Sequence, residues 1–220
     1  MSSVTFQIPI FPLPNAVFFP HTSLPLHIFE PRYRQMVADC LAGDKRLAMV
    51  LLKPGWEADY YGRPAVYEVA GAGEVVECET LADGRYNILL RGLERIGIDG
   101  EVRSEKLYRI ATARWLPDVY PPEGEDGLTS QMDRLRLACG RLLSRLPRPV
   151  PGLLKLLTDH DRPGVLVDRI ASVVVVEVEK RQSLLENQDV GDRIAEVTDY
   201  LEGVMALREQ GDPKWQARWN

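Results

Sequence analysis

The chain has 220 residues, of which 45% are hydrophobic and 27% charged, values typical of a globular protein with a sizeable core. Its formal net charge is −5 and its pI is about 5.4, which argues against a dedicated nucleic-acid binder unless the basic side chains cluster. The three cysteines, Cys40, Cys78 and Cys139, are widely spaced, so neither a zinc site nor a disulfide framework is indicated and each is expected to be a small buried thiol.

Residues 8–41 begin with a proline-rich apolar stretch and end with a helical pattern. Because proline lacks an amide N–H, the stretch predicts two short edge-type or barrel-rim strands joined by a stiff loop. A helix follows, with Pro31 at its first position and Gly43 at its end. The apolar residues of this helix recur three and four positions apart, at Tyr33, Met36, Val37, Cys40 and Leu41.

The middle of the chain reads as a succession of antiparallel strands. Apolar or alternating runs predict strands over 46–52, 66–79, 85–91, 95–102 and 107–116. Asp83-Gly84 is a strong hairpin signal, and Gly71-Ala72-Gly73 predicts a bulge or bend. These elements indicate a closed or nearly closed barrel of about six strands.

The composition changes at Pro117, where an acidic connector rich in proline and glycine begins. Helical spacing predicts helices over 128–146, 153–158, 168–177, 179–187 and 189–208, although the valine run of 168–177 also suits a strand. We therefore expect a β-barrel over 1–117, a helical subdomain over 118–210 and a tail over 211–220.

Three stretches of the chain resemble the N-terminal, substrate-recognition domain of the ATP-dependent Lon protease. They are IPIFPLPNAVFFPHTSLPLHIFEPRYRQMV at 8–37, VYEVAGAGEVVECETLADGRYNILLRGLERIGI at 66–98 and KRQSLLENQDVGDRIAEVTDYL at 180–201. The likeness is closest to the short bacterial proteins that consist of this domain alone. It implies an α+β fold, in which a PUA-like antiparallel β pseudo-barrel precedes a small α-helical bundle, and a role in binding polypeptides.

The sequence offers no specific sign of catalysis, so we do not expect an enzyme. The GxxxxGK[ST] phosphate-binding loop is missing, and the Ser–Lys pair of the family's protease domain lies in a region that these 220 residues do not contain. His21 and His27 could meet Glu30 on a metal, but their spacing is not diagnostic and packing or hydrogen bonding at the barrel rim is the simpler interpretation. No cofactor and no metal are expected.

Two clusters are candidate binding sites. Trp56, Tyr60 and Tyr61 lie in a loop between Pro54 and Pro64, where their rings would either anchor a ligand or fold back on the barrel or on its junction with the helical part. Arginines repeat on one face of the first long helix, at Arg134, Arg141, Arg145 and Arg148. This stripe would either contact phosphates or remain solvated and paired with acidic neighbours such as the 123–126 loop.

The first functional hypothesis is therefore a non-catalytic module that recognises unfolded or partly folded polypeptide, working with a protease or chaperone system. The alternative is an RNA-contacting PUA-like domain that uses the arginine stripe. A small-molecule or hydrolytic domain is a third class, and it would need a deep pocket with convergent polar groups. The sequence shows neither a signal peptide nor an apolar run long enough to span a bilayer, so we expect a cytoplasmic protein.

Overall fold

Strands and helices are segregated along the chain. The computed structural model describes residues 4–146, 153–158 and 161–210. The chain divides into two compact units, Met1–Pro117 and Asp118–Asn220. Among the described residues, the first unit carries all the strands and one α-helix, and the second unit carries the remaining α-helices. The predicted α+β class is confirmed.

The first unit is a β-barrel with one α-helix. Its elements are β1 (Thr5–Leu13), β2 (Ser23–Ile28), α1 (Pro31–Ala42), β3 (Arg46–Leu51), β4 (Val69–Thr80), β5 (Tyr86–Val102) and β6 (Arg109–Leu116), with a 3₁₀ turn at Trp56–Asp59. The strand order is β2-β5-β4-β3-β1-β6, and an additional β5–β6 pairing closes β1, β3, β4, β5 and β6 into a ring. Pro31 and Gly43 bound α1 as the sequence predicts.

Strand β5 corrects one prediction, because 85–91 and 95–102 are parts of a single 17-residue strand. Its first half pairs with β2 and its second half with β6, while β4 lies along its other side. The register with β4 shifts where Gly73 pairs with Gly92 and Gly71 pairs with Arg95. A bulge of this kind bends a strand without ending it, so no turn is needed between the two halves.

Strand β1 corrects a second prediction. It lies between β3 and β6 and is therefore not an edge strand, and its pairing with β3 is parallel although the barrel was expected to be antiparallel throughout. Thr5 to Ile10 pair with β6, and Ile10 to Leu13 pair with β3. Pro9 therefore lies where β1 pairs only with β6, and Pro12 lies where β1 pairs only with β3. At each position one side of the strand has no strand partner, so the missing N–H costs little.

The predicted irregularity at Gly71-Ala72-Gly73 is confirmed, and the proline-rich loop explains it. A Cβ at Gly71 would lie 1.8 Å from the carbonyl oxygen of Phe18, and one at Gly92 would lie 2.4 Å from that of Phe19. Only glycine allows the loop backbone to pass so close to β4 and β5. The amide of Gly92 donates to the carbonyl of Thr22 at 2.8 Å, which fixes this crossing.

Alternation along the strands divides the apolar residues of this unit into two clusters. Small and branched residues from all five ring strands fill the barrel interior, namely Ile8, Ile10, Ala48, Val50, Ala70, Ala72, Ile96, Ala111 and Ala113. The opposite face of β3, with Leu47 and Met49, packs against Tyr33, Met36 and Val37 of α1. The helix therefore covers one outer face of the barrel wall and presents its first turn at the rim.

The second unit contains α2 (Thr129–Leu143), α3 (Leu153–Thr158), α4 (Pro163–Val174), α5 (Val178–Glu186) and α6 (Val190–Glu209). The helix expected over 168–177 is present but lies earlier in the chain, because α4 ends at Val174 and the second half of the valine run, Val175 and Val176, is non-helical. Arg193 of α6 is 1% exposed, with its Nη2 donating to Asp118 at 2.8 Å and its Nε 3.2 Å from Oδ1 of Asp168 on α4. Throughout the described ranges, no helix has the length and apolarity needed to cross a membrane.

Candidate functional site

A cavity of about 290 Å³ opens on the barrel unit beside the first turn of α1. Four separate chain segments line it, with Pro12, Arg32, Tyr33, Tyr61, Gly62, Arg63, Lys106, Leu107, Tyr108 and Arg109. We call this cavity the rim pocket. Four of its lining side chains are cationic and three are tyrosines, so it combines hydrogen-bond donors with apolar ring surface.

The predicted aromatic loop lies at this pocket, but its three rings differ in exposure. Tyr61 lines the pocket and is 87% exposed, whereas Trp56 and Tyr60 are half-buried. The rings form an edge-on series, with centroids 5.5 Å apart from Trp56 to Tyr60 and 5.1 Å apart from Tyr60 to Tyr61. Packing at the inner end of the series therefore supports the exposed ring at its outer end.

Tyr60 folds back on the start of α1, where it meets Arg32. The guanidinium of Arg32 lies over the rings of Tyr33 and Tyr60, and its Nε donates to Oε2 of Glu30 at 3.0 Å. The hydroxyl of Tyr60 donates to the other oxygen of Glu30 at 3.3 Å. Burial, and then the charge of Glu30, raise the pKa of Tyr60, so this hydroxyl stays protonated at neutral pH.

Lys106 and Tyr108 converge on one carboxylate of α1. Nζ of Lys106 and the hydroxyl of Tyr108 both donate to Oδ2 of Asp39, at 2.9 and 2.8 Å. These two hydrogen bonds hold the pKa of Asp39 below its ordinary value, while burial and the bond to Asp39 raise the pKa of Tyr108. Leu107 stands between them and is 62% exposed. The segment 106–108 is thus fixed by its flanking polar residues while its central side chain faces solvent.

Arg109 and Arg63 share the carboxylate of Glu101. Arg109 donates to both oxygens of Glu101, and its Nη1 donates to the carbonyl of Pro64 at 2.9 Å. Nη1 of Arg63 approaches Oε2 of Glu101 at 3.3 Å. The hydrogen bonds from Arg109 lower the pKa of Glu101, so it is ionised at neutral pH. These contacts join the end of the aromatic loop to β5 and β6.

The predicted arginine stripe lies only partly on α2, which holds Arg134 and Arg141, whereas Arg145 follows the end of that helix. Two members of the stripe are paired. Arg134 is 3.5 Å from Glu202 and Arg145 is 3.4 Å from Glu209, so the acidic partners are on α6 and not in the 123–126 loop. Arg141 forms no ion pair within the described residues, and Arg148 lies outside them. The acidic neighbours offset the charge available to a phosphate backbone.

The remaining candidate residues take structural positions. Nδ1 of His27 is 2.7 Å from Oδ1 of Asn87 and its Nε2 is 3.1 Å from Nη1 of Arg85, so this exposed ring on β2 has hydrogen-bond partners on β5 and its neighbouring turn. Cys40 and Cys139 are buried, and burial raises the pKa of each thiol to about 12. Cys78 is exposed on β4, so its predicted burial was wrong.

Sequence reasoning missed most of the rim pocket. It identified Tyr61 but gave no binding role to Arg32, Arg63, Lys106, Leu107 or Arg109, which come from distant parts of the chain. One feature of the sequence could have indicated the pocket. Tyr33 and Tyr108 lie among apolar residues of the core, but each carries a polar hydroxyl. Buried tyrosines usually need a hydrogen-bond partner, which marks the edge of a core.

The chain is similar to several known proteins. The family described as the ATP-dependent protease La (LON) substrate-binding domain matches residues 7–203. The Lon protease of Desulfosudis oleivorans is 23% identical over 205 residues, which are 93% of this chain and 25% of that protein. The chain thus spans about a quarter of the length of the relatives it matches.

Two solved structures share the fold. The N-terminal domain of the Mycobacterium avium complex Lon protease has a TM-score of 0.71 at 14% identity, covering 90% of this chain and 98% of that one. The Lon N-terminal domain protein from Xanthomonas campestris has a TM-score of 0.61 at 22% identity, covering 89% and 98%. These likenesses confirm the fold implied by the resemblance and are compatible with a PUA-like barrel. The chain therefore belongs to the family of ATP-dependent protease La (Lon) substrate-binding domains.

Proposed function

We propose that this protein is a non-catalytic polypeptide-recognition module, which holds unfolded or partly folded segments at the rim pocket. The observation that carries the proposal is the pair of large exposed side chains, Tyr61 and Leu107, on the lining of one polar cavity. The Tyr61 ring packs edge-on against the Tyr60 ring. The position of Leu107 is fixed by its neighbours Lys106 and Tyr108, which both donate hydrogen bonds to Asp39.

The chemistry of these groups suits an extended chain. A supported tyrosine ring supplies contact area at a low cost in conformational entropy, and an adjacent leucine adds an apolar surface for side chains. The charged donors around the cavity can bond carbonyl oxygens, which every unfolded segment exposes. Recognition of this kind depends on apolar content and not on one exact sequence.

Membership of a family described as a substrate-binding domain supports the same function. The first relatives are named Lon protease, and the region shared with them is about a quarter of their length. In keeping with the family description, we propose that the chain binds polypeptide and passes it to a protease or chaperone system. A cytoplasmic location would fit its free thiols.

Binding of a reduced, alkylated and permanently unfolded model protein tests this function, with the same protein in its native form as the control ligand. We expect association with the unfolded form, weakened about tenfold by the double variant Tyr61→Ala/Leu107→Ala because both contacts are truncated. Leu137→Ala is the matched control, since Leu137 is 57% exposed but lies on α2. The proposal would be wrong if native and unfolded ligands bind equally, or if RNA is retained in place of polypeptide.

A further inference from the structure

The rim pocket carries an excess of positive charge. Arg32, Arg63, Lys106 and Arg109 line it, and no carboxylate does so among the described residues. The ion pairs of these four cations involve three carboxylates, Glu30, Asp39 and Glu101, on the surrounding structure. Four cations against three anions leave one positive charge that these pairs do not neutralise.

Arg32 also has an unused hydrogen-bond donor. Its Nε is bonded to Glu30 and its guanidinium lies over two tyrosine rings, so its position is fixed on three sides. Its Nη2 is buried and has no hydrogen-bond partner in the described parts of the chain. A buried donor on a charged group is costly to leave unpaired, so a ligand atom that accepts from it is favoured.

Further donors lie on the same cavity wall. Arg63 uses Nη1 for Glu101, and Lys106 uses Nζ for Asp39, so each side chain has N–H groups left to donate. Their side chains are 53% and 45% exposed, so the remaining N–H groups are accessible to a ligand while the bonds to Glu101 and Asp39 stay in place. The pocket lining therefore includes one buried donor without a partner and two exposed side chains with donors to spare.

We propose that the rim pocket binds a carboxylate of the polypeptide, from either an acidic side chain or the C-terminus, an inference that rests on the proposed function. A carboxylate has a single negative charge, which matches the single excess cation, and its two oxygens suit a guanidinium edge. The exposed Tyr61 and Leu107 on the same wall suit apolar residues next to that carboxylate.

Three fluorescent peptides with one apolar sequence, all N-acetylated, test the inference at neutral pH. The first has a free C-terminal acid and an internal Gln. The second has a C-terminal amide and an internal Glu, and the third has a C-terminal amide and an internal Gln. We expect the full chain to bind at least one carboxylate-bearing peptide about tenfold more tightly than the third, the factor that one charge-assisted hydrogen bond provides. The peptide that binds more tightly than the third shows whether the bound carboxylate is the C-terminus or an acidic side chain.

Arg32→Gln should reduce this preference to within about twofold. Should that variant fail to fold, Arg63→Gln/Lys106→Gln tests the same preference through half-exposed side chains and should lower it. Arg91→Gln is the control, because Arg91 is an exposed, ion-paired arginine outside the pocket, and it should keep the full preference.

Equal affinity of the three peptides for the wild type would overturn the carboxylate site while leaving polypeptide binding intact. Absence of binding by all three would instead overturn the proposed function itself. Stronger competition by inorganic phosphate than by acetate would also overturn the assignment, since it would indicate a site for a more highly charged anion.

Discussion

The guanidinium carbon of Arg32 lies 5.3 Å from the centroid of the Tyr60 ring. This contact joins the aromatic loop to the first turn of α1, and Glu30 bonds to both residues from the side. Tyr60 belongs to the aromatic cluster predicted from the sequence, whereas the sequence gave no reason to assign Arg32 to a pocket.

Tyr60→Ala should weaken binding of a carboxylate-bearing peptide roughly threefold to tenfold, because Arg32 loses one of its two stacked rings. Tyr60→Phe should stay within about twofold of the wild type, since the ring remains and only the long bond to Glu30 is lost. Fluorescence anisotropy measures both. Equal losses in the two variants would show that the hydroxyl matters and the ring does not.

Asp168→Asn should destabilise the helical unit by roughly 3 kcal/mol or more, because it leaves the buried guanidinium of Arg193 with less compensating charge. Glu202→Gln breaks the exposed pair with Arg134 and should cost about 0.5 kcal/mol or less. Urea unfolding followed by circular dichroism gives both free energies. Similar small losses would show that the Arg193–Asp168 contact is not a major source of stability.

The barrel unit should lose stability between pH 10 and 12. Burial raises the pKa of Tyr33 from 10.0 to about 12, so the folded chain keeps this tyrosine neutral while the unfolded chain ionises it. The stabilisation is complete below pH 10 and is lost as the pH rises to 12, by up to roughly 2 to 3 kcal/mol. Tyr33→Phe should make the decline between pH 10 and 12 smaller by about this amount, the remainder coming from Cys40 and Tyr108, whose pKa values are also raised. Tyr61→Phe should leave the decline unchanged. A decline of the same size in the Tyr33→Phe variant would contradict the assignment.

Maleimide should label one cysteine in the native protein and three after denaturation. Cys78 is exposed, whereas Cys40 and Cys139 are buried with pKa values raised to about 12, so neither presents a reactive thiolate. Mass spectrometry counts the labels. Cys78→Ser should abolish native labelling, and rapid modification of Cys40 or Cys139 would show that the cores open.

Local signals predicted much of the fold. Pro31 and Gly43 set the ends of α1, Asp83-Gly84 sets the hairpin between β4 and β5, and Leu153–Thr158 forms the short helix expected there. Each depends on the conformational preferences of a few neighbouring residues, which a sequence displays directly.

Long-range pairing was beyond those signals. Nothing local indicates that β1 would pair in parallel with β3, since that pairing depends on the path of the whole connection over 14–45, which contains β2 and α1. The rim pocket was even harder to predict from the sequence, because its lining residues meet only after the barrel closes, among them Pro12, Arg32, Arg63 and Lys106. Tyr61 was predicted since an aromatic between prolines is informative by itself, whereas an isolated arginine usually reads as solvated surface.

Hydrogen–deuterium exchange of the protein, with and without a saturating unfolded polypeptide, tests polypeptide binding at the rim pocket most directly. It reports which backbone segments the ligand covers, without any substitution. We expect slower exchange over 60–63 and 104–109, with α2 and its arginines unchanged. Unchanged exchange in those two segments, together with protection along α2, would contradict the rim pocket as the binding site.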